Sequence, residues 1–142
     1  MPSSPISISP AQQAALWAAA QQAAQQAYAP YSGFRVGAAL LLEHGDIVSA
    51  ANVENTSYSL SICAERSAVV RAVAQHGPGV RIVAVAVTNL NSAASSPCGA
   101  CRQVLAEFMP PDGLVLFPYD GTTQTRTLSE LLPLGFYLAH AE

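Results

Sequence analysis

The sequence predicts an α/β fold, a three-layer α/β/α sandwich built on a mixed sheet. Two observations lead there. Helix-like and strand-like segments run in the order helix, hairpin, then helix and strand in alternation. The later strands are separated by helix-length crossovers of the kind that parallel neighbours require. At 142 residues the chain is long enough for one domain with a substantial core, and neither an internal repeat nor a second domain is visible.

The elements follow in order. Residues 1–8 read as a flexible tail. Ser9-Pro10 supplies an N-cap and a proline at the first helical position, opening a helix that extends to about Tyr28. Its Ala and Gln repeats are good helix formers and point to a packed surface helix without a chemical role. Ala29-Pro30-Tyr31-Ser32-Gly33 is a loop. Residues 36–42 and 47–53 are strand-like and joined at Glu43-His44-Gly45-Asp46, a hairpin. Ser61 is placed to cap a helix over 62–75, which Gly77-Pro78 ends. Residues 80–87 are rich in β-branched side chains and read as a buried strand. A polar loop over 89–97 leads into a helix over 98–109, stopped by Pro110-Pro111. Residues 114–117 form a short strand. Thr127-Leu128-Ser129-Glu130 has the pattern of a capping box before a short last helix.

Composition narrows the function classes. Only 11% of residues are charged and 51% are apolar, so part of the apolar surface is expected in subunit interfaces. The net charge is −3, from nine acids against six arginines with no lysine. A nucleic-acid polymer needs a basic face, so RNA and DNA are not expected partners. Three cysteines cannot all pair in disulfides, and no signal peptide or membrane span is legible, which points to a reducing cytoplasm.

The chemistry lies in Cys63-Ala64-Glu65 and Pro97-Cys98-Gly99-Ala100-Cys101, which hold all three cysteines. Cys98 and Cys101 are three apart at a helix start and share a face, and Cys63 sits near the start of another helix. Helix N-termini favour thiolates. Three thiolates suit Zn²⁺, whereas a closed structural site takes four protein ligands, so the fourth position is left for water. Glu65 stands where a proton carrier is needed. Three thiolates leave the cluster electron-rich, and Arg66 and Arg102 are candidates to draw charge from the sulfurs. A structural zinc would show a second C-x-x-C pair, and a redox pair of Cys98 and Cys101 would leave Cys63 unexplained. His44, His76 and His140 lie in a turn, at a helix end and near the C-terminus, and none has the spacing of a fourth ligand.

From Ala29 onward the chain resembles the small homotetrameric cytidine deaminases. The resemblance rests on Tyr31-Ser32-Gly33-Phe34-Arg35-Val36-Gly37-Ala38-Ala39, Asn52-Val53-Glu54-Asn55, Cys63-Ala64-Glu65-Arg66, Pro97-Cys98-Gly99-Ala100-Cys101-Arg102-Gln103 and Leu131-Leu132-Pro133. Arg35 stands where many relatives have proline. The resemblance implies a five-stranded sheet, one zinc per chain on Cys63, Cys98 and Cys101, and a homotetramer. It further implies that Glu65 moves protons, that Asn52 and Glu54 bind sugar hydroxyls, and that Phe34 packs on the pyrimidine. The Ala64 backbone would meet the pyrimidine carbonyl, while Tyr58 and Phe136 would reach a neighbouring subunit's pocket. The implied reaction is hydrolytic deamination of free cytidine and 2′-deoxycytidine in pyrimidine salvage. A blasticidin S-type deaminase shares the zinc motifs but lacks the Asn52-Val53-Glu54-Asn55 pattern. A non-catalytic zinc-stabilised module would have no use for Glu65.

Overall fold

The computed structural model describes residues 6–140. Its strands are β1 (Val36–Leu42), β2 (Ile47–Ala51), β3 (Ile82–Asn89), β4 (Leu114–Tyr119) and β5 (Thr122–Thr127). Its α-helices are α1 (Pro10–Ala24), α2 (Ala64–His76), α3 (Gly99–Phe108) and α4 (Leu128–Leu131), with a 3₁₀ turn at Tyr58–Leu60. The five strands form one sheet in the order β2-β1-β3-β4-β5. Only β3 and β4 run parallel, joined through α3, while β1 is antiparallel to both β2 and β3 and β5 returns antiparallel on β4.

Every residue of β1 is buried, because helices cover both faces of the sheet. Ala38, Leu40 and Leu42 join a core with Ala64, Ala68 and Val69 of α2 and Leu105 of α3. Ala39 and Leu41 point the other way, onto Leu16 and Ala20 of α1. The three-layer sandwich expected from the sequence is therefore present.

The register brings the chemistry to one end of the sheet. Val36 lies opposite Asn89 and Gly37 opposite Ala51, so the start of β1 and the ends of β2 and β3 are neighbours. The segments leaving β2 and β3 at that end lead into α2 and α3. Both helices therefore begin where Phe34 and Asn52 also lie.

Several boundaries differ from the sequence expectation for identifiable reasons. The first helix stops at Ala24 instead of about Tyr28, because Tyr28 is taken by a bridge to Val53. Its N–H donates to the Asn52 carbonyl at 3.0 Å, and its carbonyl accepts from the Glu54 N–H at 2.8 Å. Ser61 does not cap α2. Ile62 exchanges backbone hydrogen bonds with Val53, the helix starts at Ala64 with Cys63 as its N-cap, and Ser61 Oγ accepts from the Asn55 N–H. Residues 1–5 of the expected tail lie outside the described residues, whereas Ile8 packs against the α1 side of the sheet. Residue-level reading found four strands. The fifth, β5, follows a tight turn at Asp120-Gly121, both with positive φ (51° and 75°), an Asp-Gly hairpin signal that the sequence does carry. The capping boxes at Ser9 and Thr127 form as expected.

Gly37 shows why α1 is so rich in alanine. A methyl group on its Cα would lie 1.9 Å from the Ala20 carbonyl oxygen and 2.6 Å from the Ala24 nitrogen, so the helix backbone rests directly on β1. Gly37→Ala is expected to destabilise the fold by about 1–3 kcal/mol through overpacking. Urea denaturation measures this, and an unchanged midpoint and slope would contradict the close approach.

Candidate active site

Cys63 is the N-cap of α2, Cys98 is the N-cap of α3, and Cys101 lies in the first turn of α3. Neither N-cap sulfur accepts a capping hydrogen bond from the backbone of its own helix, and the three sulfurs converge instead. Cys63 and Cys98 Sγ are 4.0 Å apart, and all three Sγ atoms lie within 4.8 Å of one another. Tetrahedral zinc with Zn–S bonds of about 2.3 Å places sulfurs about 3.8 Å apart, so the trio fits the ion with small rotations. The Cys63 thiol is drawn down to about 5, first by its hydrogen bond with Cys101 and then by Arg66, against the opposing effect of burial. Cys101, hydrogen-bonded to Cys63 and buried, is pushed up in turn. One thiolate is thus already favoured before a metal competes for the other protons.

The two flanking arginines do different things. Arg66 Nη2 donates to Cys63 Sγ at 3.5 Å, in line with drawing charge from sulfur. Arg66 Nε is the one buried side-chain polar atom without a partner among the described residues. Arg102, expected to act in the same way, instead donates through Nε to the Pro97 carbonyl and through Nη1 to the Leu131 carbonyl, both at 2.8 Å. Its guanidinium meets two unsatisfied carbonyls before it can reach a sulfur. It ties the Pro97-Cys98 turn to the end of α4.

Beside the sulfurs lies a cavity of about 270 Å³, walled by Phe34, Val36, Asn52, Cys63, Ala64, Glu65, Val87, Cys98 and residues 94–96. Glu65 is only 5% exposed, and burial above all pushes its carboxyl up to about 7. Its position two residues after Cys63, in the first turn of α2, puts a buried carboxyl next to the cysteine cluster.

Asn52 reaches the cavity and also braces it. Its Nδ2 donates to the Phe34 carbonyl at 2.8 Å, and its Oδ1 accepts from the Val36 N–H at 2.9 Å. Glu54 does not line the cavity. Its carboxylate accepts from the backbone N–H groups of Tyr31 and Ser32, each at 3.1 Å, and from Ser32 Oγ. The Ser32 hydroxyl first, with the two N–H groups, holds the Glu54 carboxyl below its ordinary value. Tyr58 and Phe136 lie away from this cavity, 63% and 68% exposed. The Phe136 backbone is held at both its N–H and its carbonyl by the Gln103 side-chain amide.

Sequence reasoning passed over one wall of the site. Asn89 Oδ1 accepts from the N–H groups of Asn91 and Ala93, while its Nδ2 donates to the Ala93 carbonyl and Ser95 Oγ. Asn91 in turn accepts from the Arg35 N–H and donates to the Gly33 carbonyl, linking this loop to the one that carries Phe34. The signal was the asparagine pair in a polar loop, a residue type that folds backbone onto its own side chain.

Residues 10–116 match the family described as the cytidine and deoxycytidylate deaminase zinc-binding region. The chain belongs to that family. A cytidine deaminase from Halalkalibacterium halodurans is 49% identical over 117 residues, covering 81% of this chain and 86% of the relative. The crystal structure of cytidine deaminase from Mycobacterium tuberculosis superposes with a TM-score of 0.77 at 40% identity, covering 89% of this chain and 98% of that one. A blasticidin-S deaminase from Bacillus cereus is more distant, 33% identical over 108 residues and covering 71% of this chain and 76% of the relative. The three-cysteine cluster of this deaminase is the site for the family's zinc.

Glu54 gives a pH-dependent expectation. Its folded pKa lies below the unfolded value of about 4.3, so its contribution to stability is full above that value and is lost as pH falls through the folded one. Glu54→Gln should therefore melt lower than the parent near neutral pH, and the gap should narrow below pH ~4. Thermal unfolding of both proteins across this range checks the sign, and a gap that widened in acid would contradict it.

Proposed function

We infer that this deaminase hydrolyses free cytidine and 2′-deoxycytidine to the corresponding uridines with release of ammonia. The observation that carries the reading is the cavity beside the three converging sulfurs, which is lined by Cys63, Cys98, a buried Glu65 and an apolar wall at Phe34. Zinc held by Cys63, Cys98 and Cys101 supplies the Lewis acidity that makes water nucleophilic at neutral pH. Glu65 takes a proton from the attacking water and gives it to ring N3, then takes the remaining proton from the C4 hydroxyl and gives it to the departing amine. Phe34 packs on the pyrimidine, and the Ala64 backbone meets its carbonyl. Asn52, with hydrogen-bonding capacity left on its amide, binds a sugar hydroxyl. Glu54 joins it there if a sugar hydroxyl competes for the carboxylate oxygens that Ser32 and Tyr31 now hold. Arg66 tempers the charge on Cys63.

The chain acts in this reading as one domain, and four copies assemble. Tyr58, Leu134, Phe136 and Leu138 are all more than half exposed, which supports a buried interface in the assembly. Gln103 holds the Phe136 backbone, and the exposure of that ring and of Tyr58 supports their reaching a neighbour's pocket. Three free thiols suit a reducing cytoplasm, and the activity suits pyrimidine salvage. No helix among the described residues is long and apolar enough to cross a membrane.

Glu65→Gln is expected to retain one zinc per chain while turnover of cytidine, followed by its ultraviolet absorbance, falls by about 10²–10⁴-fold. Near-parental turnover with zinc bound would remove Glu65 from the proton path. Light scattering on a sizing column should give about four times the 14.8 kDa chain mass, and a monomer mass would overturn the assembly.

A further inference from the structure

At the opposite end of α2 from the sulfur cluster lies a second group of metal-ligating side chains. His44 and Asp46 flank Gly45 in the β1–β2 turn, and His76 is the last residue of α2. His44 Nε2 is 3.1 Å from Asp46 Oδ2, and His76 Nε2 is 3.9 Å from the same oxygen. The imidazole rings are 5.1 Å apart between centres and tilted by 52°. One ligand atom from each of the three residues lies within 4.8 Å of the others. We propose that His44, Asp46 and His76 form a second, surface metal site that takes a late first-row divalent cation, with zinc as the ion of choice.

Four features support this. Two neutral imidazoles and a carboxylate are a donor set that such ions favour over Mg²⁺ or Ca²⁺. Bond lengths of about 2.0–2.1 Å set tetrahedral ligand atoms about 3.3 Å apart, so His44 and Asp46 are already in place and His76 needs a small rotation. His76 sits at a helix C-terminus, where the backbone carbonyls favour a cation. His44 and His76 border a depression of about 280 Å³ that Glu43, Gly79, Val80 and Arg81 also line, open to an ion from solvent. The two histidines are far apart in sequence. Gly45, with a φ of +103° that other residues rarely adopt, bends the turn that carries His44 and Asp46. An ion here would join the β1–β2 turn to the C-terminal end of α2, the helix whose other end carries Cys63 and Glu65.

The test is metal counting on tag-free, zinc-loaded enzyme dialysed against buffered free zinc, with the protein concentration known. At free zinc on the order of micromolar, two zinc ions per chain are expected, falling to one in His44→Gln/His76→Gln with cytidine turnover retained. The second ion should also raise the melting temperature of the parent but not of the double variant. Asp46→Asn, a single surface change, should weaken the second ion at least about tenfold. His140→Gln, at the exposed pair with Glu107, should keep two ions. One ion per parental chain, two in the double variant, or loss of the second in His140→Gln would each overturn the site.

Discussion

Three sulfurs within 4.8 Å of one another impose the constraint that the rest of the molecule satisfies. They come from the starts of two helices, so α2 and α3 must lie on one face of the sheet with their N-termini at the same end. The β1–β3 register achieves this by setting Val36 opposite Asn89, which brings the chain leaving β2 and the chain leaving β3 to a common edge. α1 seals the other face, resting on Gly37 closely enough to exclude a side chain there.

That convergence has an electrostatic cost when these groups ionise, since three thiols and a carboxyl crowd a partly buried space. Two helix N-termini and the Arg66 guanidinium offset it. Zinc completes the balance, and its affinity for thiolate is the reason these side chains can be held together. Glu65 is left in a low-dielectric setting that favours its protonated form more than water would, which suits the proton transfer proposed for it.

The substrate side of the cavity is built from backbone held by side-chain amides and carboxylates. Tyr28 and Ile62 grip residues 52–54 from either side, and Asn52 and Glu54 then fasten the loop that presents Phe34. Asn89 and Asn91 do the same for the facing loop. These are interactions between segments distant in sequence. The cysteines and Glu65 were legible in advance because their spacing is local and their chemistry narrow, while Arg102 was misjudged because adjacency to a ligand does not say which way a long side chain turns. The fifth strand, expected from the resemblance and present in the sheet, was not placed on residues beside its own Asp-Gly turn. A run of threonines, one glutamine and one arginine on an exposed edge lacks the apolar pattern of a core strand.

The sequence by itself determined the sandwich, the ligand trio and the family. The sandwich rests on periodicity and the trio on motif chemistry, while the family rests on the resemblance of five short motifs, all of which the chain carries wherever it folds. Only the tertiary structure decided where α1 stops, which residue caps α2, which carbonyls Arg102 satisfies, and that His44 and His76 meet over Asp46. Those outcomes depend on which groups are brought within bonding distance, and that is set by strand register and helix packing, not by nearness along the chain.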